Sequence, residues 1–349
     1  MKIIHILPEL EEGGVERLIP VYAEGQIRLG HEVTVISFGG RLVPSLPPGT
    51  RHIKMPVHKK NPLVGMVCAR RIAALAANER IDVVHAHSRV PAWIAYFTKR
   101  LYPHICYVYT AHARFSTLNY GMWAIKKADG VICVSESVCL HLANWLPPRN
   151  SIRVVYNAPP RPVLPWVGSG DSTRKHLLFI GRVSETKDPF TLVEALAKTN
   201  MRNWRMDVFG DGPAMKKLDD RIRGHGLTEK ICLHGFSNNV PEIMARSDLF
   251  LFPSLDEEGM PLSLVEAVVA GVPTIASDIA ATRELMGNSS DKLLPVGDVD
   301  AWRVAISRFL DGSDEPFLSP QVKLPSRTEM VEQIVTFYRD IQTRYSQGT

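Results

Sequence analysis

The chain has 349 residues, of which 45% are hydrophobic, 22% charged and 8% aromatic; that composition excludes disordered and fibrous classes, and the length suits two domains of about 150 to 175 residues each. No apolar run approaches the roughly 18 residues of a membrane span, and the opening MKIIHILPELEEGG reads as a first strand and loop rather than a signal peptide. The net charge of +5 conceals two unlike halves: residues 1–161 hold 20 Lys/Arg against 10 Asp/Glu, and the remainder holds 21 against 26. A basic first half fits either a merely solvated surface or an anionic partner: a phosphorylated substrate, or the inner face of a membrane. Nucleic acid ranks last, because no basic stretch is interleaved with aromatics. The five cysteines (Cys68, Cys106, Cys133, Cys139, Cys232) are odd in number, lack CxxC spacing and lie partly in apolar runs. They read as reduced thiols of a cytoplasmic protein.

Short apolar, β-branched runs predict strands at 3–7, 33–38, 52–55, 83–86, 106–110, 131–134 and 153–156, then at 177–180, 206–209, 231–233, 249–252, 273–276 and 293–295. Helical periods lie between most of them, as at 16–29, 62–78, 91–101 and 189–198. Strand–helix alternation with nearly continuous apolar strands means parallel sheets covered on both faces: an α/β chain of two doubly wound domains. The stretch Pro159-Pro160-Arg161-Pro162-Val163-Leu164-Pro165, followed by Gly168-Ser169-Gly170, reads as a linker. The expected division is therefore 1–165, 166–325 and a final helix in 326–349. That helix opens on a Ser326/Glu329 capping box and carries Met330, Ile334, Phe337 and Ile341 on one face.

Ligands of such sheets bind beyond the carboxyl ends of the strands. After the first strand, Gly13-Gly14 at a helix start lets backbone N–H groups approach an anionic oxygen, although a bare turn would look the same. His85-Ala86-His87 and Thr110-Ala111-His112 close the fourth and fifth strands. No carboxylate or thiol stands at ligand spacing beside these histidines, so no metal is expected there; His85 reads as structural and His112 as a substrate contact. Asp298-Val299-Asp300 reads as a helix cap rather than a metal-binding DxD. In the second half, Gly181-Arg182 just past a strand and Lys187 five residues later are suited to converge on one phosphate cluster. Gly210-Asp211-Gly212-Pro213 is a tight strand-to-helix turn. Between Pro261 at the first helical position and Gly271 at C′ lies a helix in which only Ser263 and Glu266 are polar. A carboxylate inside so apolar a helix needs something to bond, either two core donors or a ligand. Glu258, in the loop just before the helix, would face the same crevice, and two carboxylates with free helix N–H groups suit a polyhydroxylated ligand carrying phosphates.

The Glu258/Glu266 spacing with Gly259 and Gly271-Val272-Pro273 resembles the signature of the retaining, GT-B-fold glycosyltransferases of family 4. The resemblance also takes in Gly13-Gly14-Val15-Glu16, Thr110-Ala111-His112, Ala128–Glu136, Gly181-Arg182 with Lys187, and Gly210-Asp211-Gly212-Pro213. It implies two Rossmann-like domains facing a central cleft, the first binding the acceptor and the second the nucleotide sugar, with the last helix packed back on the first. By position, Arg182 and Lys187 would hold the donor diphosphate, with backbone N–H groups around Gly14 contacting the same phosphates; Gly13, Gly181 and Gly210 would also belong to the donor site. Glu266 would take the ribose hydroxyls and Glu258 those of the transferred sugar. The segment Gly259, Met260, Pro261 and Leu262 would fix that sugar, and His112 would touch sugar or phosphate near the anomeric carbon. The resemblance implies a metal-independent hexosyl transfer without cofactor, from a UDP- or GDP-linked donor. Two departures stand out: Asn157-Ala158 replaces an expected Asn-Gly, and Ala280-Ala281-Thr282-Arg283-Glu284 replaces a glycine-rich turn.

The first half further resembles glycosyltransferases of lipopolysaccharide cores across residues 7–17, 37–41 and 57–62. With the basic balance, this implies a glycan or lipid-linked acceptor and peripheral contact of the first domain with an anionic membrane, through Lys59, Lys60, Arg70 and Arg71. A sugar-nucleotide epimerase or a non-catalytic nucleotide-sugar binding protein are the rival readings; an NAD enzyme is disfavoured by the missing GxGxxG.

Overall fold

The computed structural model describes the chain except residues 12, 115–121, 144, 147–150, 256–257, 288–292, 315–321 and 348–349, and the side chains of 345–347. Glu12, in the opening run above, and Asp256-Glu257, just before Glu258, lie outside the described residues. The chain divides into two compact units, 1–160 with 325–349, and 161–324.

The first unit is built on β1 (Lys2–Ile6), α1 (Gly14–Arg28), β2 (Glu32–Ser37), β3 (Thr50–Lys54), α2 (Pro62–Glu79), β4 (Val83–Ala86), α3 (Arg89–Leu101), β5 (Cys106–Ala111), α4 (Met122–Ile125), β6 (Gly130–Cys133), α5 (Glu136–Ala143) and β7 (Ser151–Val154). Its sheet has seven strands in the order β3-β2-β1-β4-β5-β6-β7, all parallel. The strand order reverses between β1 and β4, which makes their carboxyl ends the crevice where ligands of such sheets bind. The inner strands β4, β5 and β6 are buried throughout, as their unbroken apolar runs require. Asp129, in the quoted Ala128–Glu136 motif, is structural: its carboxylate accepts from Tyr107 N and pairs with Lys99.

α12 (Arg327–Gln347) closes the same unit. Ser326 N donates to Glu329 Oε2 at 2.7 Å and Glu329 N donates to Ser326 Oγ at 3.2 Å, the reciprocal bonds of the capping box. Met330, Ile334, Phe337 and Ile341 are all buried, with Val331, Val335 and Tyr338 beside them. The helix sits so close to α1 that a Cβ on Gly25 would stand 2.8 Å from Val331.

The second unit carries β8 (Lys175–Ile180), α6 (Pro189–Ala197), β9 (Trp204–Phe209), α7 (Met215–Gly224), β10 (Ile231–Gly235), α8 (Val240–Ala245), β11 (Leu249–Phe252), α9 (Leu262–Ala270), β12 (Thr274–Ala276), α10 (Ala280–Met286) and α11 (Val299–Leu310). Its five parallel strands run β10-β9-β8-β11-β12, with the reversal between β8 and β11. The predicted strand at 293–295 is reduced to a single bridge between Ser277 and Leu294. Pro295 has no N–H to extend a ladder, and the next residues turn into the cap of α11. Asp298 is that cap, accepting from Asp300 N and Ala301 N. Pro261 stands one position earlier than predicted: it is the N-cap of α9 in extended conformation, while Gly271 ends the helix at φ +78°. The sequence 280–284, a departure from the family's glycine-rich turn, forms the first residues of α10.

Candidate active site

In the second unit the predicted donor residues gather where the sheet reverses. Gly181-Arg182 follows β8, and the loop continues through a 3-10 turn at Glu185–Lys187. The loop is held from behind by the Gly210-Asp211-Gly212-Pro213 turn. Val183 N donates to the carbonyl of Asp211 at 3.0 Å, and Ala214 N to that of Val183 at 3.1 Å. Gly210 sits at φ +129° with its α-carbon against the Gly181 carbonyl, which any Cβ would strike. Asp188, a non-glycine residue at φ +45°, bends the chain after Lys187. Its carboxylate accepts from Thr191 Oγ1 at 2.6 Å and Thr191 N at 3.3 Å, and so begins α6. Such a conformation costs about 1 kcal/mol or more and is retained where the surroundings impose it.

A backbone bond from Leu255 N to the carbonyl of Thr186, 2.8 Å, ties this loop to the one that follows β11. Lys187 and Glu258 thereby form an ion pair, each side chain about one-fifth exposed, with the ammonium 5.5 Å from the centre of the Phe252 ring. Arg182 is exposed. Gly259, Met260 and Pro261 are buried immediately before α9, and Leu262 opens it.

Glu266 is held by a partner that sequence reasoning missed. Its Oε1 accepts from Arg161 Nε at 3.0 Å and its Oε2 from Arg161 Nη2 at 2.9 Å. The carboxylate is 5% exposed and the guanidinium 18%. The signal was a single arginine inside a proline-rich stretch, read as linker. Each carboxylate oxygen keeps a second lone pair, so the fork and two ribose hydroxyls are chemically compatible.

In the first unit, Gly13 caps α1 and Glu16 folds its carboxylate back against Gly13, over the helix N-terminus that Gly13-Gly14 open. The histidines lie on one face of the sheet, because residues two apart on a strand point the same way. His5 on β1 is paired in register with His85 on β4. His85 is fully buried and satisfied at both nitrogens: Nδ1 is 2.6 Å from Tyr338 Oη and Nε2 is 2.6 Å from Thr110 Oγ1. His5 Nε2 lies 2.8 Å from Gln26 Oε1, His5 Nδ1 2.9 Å from His87 Nε2, and His87 Nδ1 3.2 Å from His112 Nε2. His112, the residue expected to touch substrate, is thus the outer end of a chain that starts at Gln26. Sequence reasoning missed His5 and Gln26; the period-two placement of His85/His87 and Thr110/His112 was the available signal. His5, His85 and His87 also lie close enough together to hold an ion, as do Asp207, Cys232 and His234. Asp207, however, already pairs with Arg205 and His234.

Burial holds all four histidines neutral: His5 is pushed down to about 4 and His112 to about 3, and His85 and His87 lie well below the ordinary 6.5. An unfolded chain protonates them near 6.5, so below that pH the unfolded state binds more protons than the folded one and stability falls with falling pH. Each such histidine contributes a slope of about 1.4 kcal/mol per pH unit. Chemical denaturation of the protein at pH 7.5, 6.0 and 5.0 is expected to show a progressive loss of several kcal/mol across that window; a flat profile would mean that the cluster is charged in the native state.

The first unit also holds a cavity of ≈ 310 Å³ lined by Lys59, Lys60, Asn61, Arg89, Val90 and Trp93. Asn61 caps α2, accepting from Leu63 N at 2.9 Å. Beyond it α2 exposes Leu63 (78%) and Val67 (54%) beside the exposed Arg70 and Arg71. Among the described residues no helix is long and apolar enough to cross a membrane.

Comparison with known proteins places this architecture. Two family models match in tandem: Glycosyltransferase Family 4 over residues 12–158, and Glycosyl transferases group 1 over residues 164–323. The chain is 28% identical over 265 residues to the UDP-Gal:alpha-D-GlcNAc-diphosphoundecaprenol alpha-1,3-galactosyltransferase of Escherichia coli, covering 68% of each protein. It is 38% identical over 150 residues, 42% of its length, to the exopolysaccharide phosphotransferase SCO2592 of Streptomyces coelicolor, of which the match spans only 16%. The crystal structure of Anabaena HepE in complex with UDP-glucose superposes with a TM-score of 0.76 at 18% identity, covering 99% of this chain and 100% of that one, a likeness of fold. With both halves matched in order and two parallel α/β sheets of the GT-B type, the chain belongs to the group 1, family 4 glycosyltransferases.

Proposed function

We propose that this glycosyltransferase works with retention of anomeric configuration and without a divalent ion, moving a hexose from a UDP- or GDP-sugar to a lipid-phosphate-linked glycan of a cell-surface polysaccharide. The observation that carries the reading is the Lys187–Glu258 pair, with Arg182 exposed on the same loop, at the strand reversal of the second unit. When donor binds, Lys187 passes to the diphosphate and Glu258 to the sugar hydroxyls, so each charge exchanges one partner for another. The bond from the anomeric carbon to the diphosphate oxygen breaks, the electron pair leaves with the diphosphate, and Arg182 and Lys187 stabilise the charge that develops. The acceptor hydroxyl bonds the same face of that carbon, and its proton goes to the departing phosphate oxygen.

The acceptor class is supported by Lys59, Lys60 and Arg89 around the apolar-walled cavity of the first unit, and by the relative that acts on a diphosphoundecaprenol-linked sugar. Cationic side chains at the mouth of an apolar pocket match a phosphate joined to a hydrocarbon chain.

The test has three arms. In a thermal-shift panel of UDP-, GDP- and ADP-sugars, one UDP- or GDP-sugar is expected to raise Tm. Transfer from it is expected to continue in EDTA and to give a product with the donor's anomeric configuration by NMR. The Lys59→Ala/Lys60→Ala variant is expected to raise the acceptor KM about tenfold with the donor KM unaltered, the loss of two charge-assisted contacts. Inversion, or activity abolished by chelation, would overturn the mechanism; an unchanged acceptor KM would overturn the acceptor class.

A further inference from the structure

Gln26, His5, His87 and His112 form an unbroken line of ring and amide contacts of 2.8, 2.9 and 3.2 Å running from the core of the first unit to the end of β5. Gln26, His5 and His87 are almost wholly buried, and the face is completed by Tyr22 from α1, whose ring lies 6.1 Å from His5 and 5.9 Å from His87, and by His85, Thr110 and Tyr338. A neutral imidazole donates from one nitrogen and accepts at the other, so in a line of imidazoles the polarity of one bond dictates the next. A carboxamide, by contrast, has an oxygen that only accepts. Gln26 Oε1 faces His5 Nε2, so that nitrogen carries the hydrogen and His5 Nδ1 is bare. His5 Nδ1 then accepts from His87 Nε2–H, and His87 Nδ1 accepts from His112 Nε2–H. The last nitrogen of the line, His112 Nδ1, is left with a lone pair.

We propose that Gln26, His5 and His87 are positioning residues that fix His112 as its Nε2–H tautomer, so that Nδ1 accepts a hydrogen bond from a sugar hydroxyl and repels phosphate oxygens. The proposal deepens the reading of His112 as a substrate contact and rests on it, while the tautomer itself is a property of the protein alone. It decides between the two ligands open to His112: a bare nitrogen offers nothing to an anion, whereas a hydroxyl has a proton to give. It also makes His112 a fixed acceptor of hydrogen bonds and not a store for protons, since burial disfavours the imidazolium at every ring of the line.

The test uses full-length protein labelled with ¹⁵N in its histidine rings, with His112→Gln identifying the signals. Long-range ¹H–¹⁵N correlation is expected to show His112 protonated at Nε2 and bare at Nδ1 throughout pH 6 to 8. Gln26→Glu, whose carboxylate also only accepts, is expected to keep that tautomer. Gln26→Leu is expected to give a mixture and to lower kcat about tenfold, with donor KM within about twofold, the scale of one misdirected hydrogen bond. A proton on Nδ1, titration of His112 near pH 6.5, a tautomer indifferent to Gln26→Leu, or a zinc ion taken up by His5, His85 and His87 would each overturn the proposal. Should Gln26→Leu not fold, the spectra of the parent protein and of Gln26→Glu still decide. Absence of transfer with every donor tried would count against the assigned reaction and leave the tautomer result standing.

Discussion

Replacing Lys187 with Ala is expected to lower kcat by about tenfold to a thousandfold, and Arg182→Ala to fall in the same range, because each removes a cation aimed at the charge on the leaving diphosphate. The two should differ in what else they change. Lys187 is engaged before any donor arrives, with Glu258 on one side and the Phe252 ring beneath it. Its loss leaves Glu258 about one-fifth exposed and without that counter-charge, which water can largely compensate, so Tm should move by a few degrees only. Arg182 is exposed on the same loop, and its loss should leave Tm unchanged. Lys187→Arg keeps the charge but places a planar fork where a compact ammonium stood, so partial activity is expected. Initial-rate measurements that separate kcat from donor KM, beside a thermal melt of each variant, give the answer. Turnover unchanged from the parent in both alanine variants would remove the leaving-group role.

The largest stability effect is expected at Arg161. In the Arg161→Ala variant, Glu266 is left in the middle of α9 as a carboxylate 5% exposed, without the fork that satisfied both its oxygens. Breaking a buried pair in this one-sided way costs about 3–5 kcal/mol, which for a unit of this size lowers Tm by roughly 6–20 °C. Arg161→Lys is expected to recover only part, since an ammonium cannot make two parallel bonds. The double variant Arg161→Ala/Glu266→Gln removes the charge as well as its partner and is expected to be more stable than Arg161→Ala alone. That non-additivity is the signature of direct coupling. A melt of Arg161→Ala within about 2 °C of the parent would show that water, and not the guanidinium, satisfies Glu266. Glu266→Gln is also the informative variant for the donor, because an amide accepts fewer ribose hydroxyls than a carboxylate.

Much of the fold is legible in particular residues. The apolar runs at 83–86 and 249–252 are strands with those same ends, and Ser326 with Glu329 marks the start of the last helix. These are signals within a few residues of each other, where period and capping chemistry act. The run at 293–295 looked equally apolar, yet strand formation needs a partner over several residues, and Pro295 denies it one. The site was legible as a set of residues and not as a set of contacts. Glu258 and Lys187 were each singled out, but that they neutralise one another follows from β8 and β11 being neighbours across the reversal. Arg161 was hidden in a stretch whose prolines describe a linker, while its partner lies 105 positions away.

By itself, the amino-acid sequence determined the α/β class, the strand and helix periods, the caps and the family, because those reside in local pattern and in motifs read one after another. The tertiary structure alone decided which charge meets which, that Glu266 is forked by Arg161, and that three histidines and a glutamine stand in one line of contacts. The physical reason is that ion pairs and hydrogen bonds depend on which strands lie side by side, and β1 meets β4 only after the chain has laid down β2 and β3, an adjacency that no local pattern encodes.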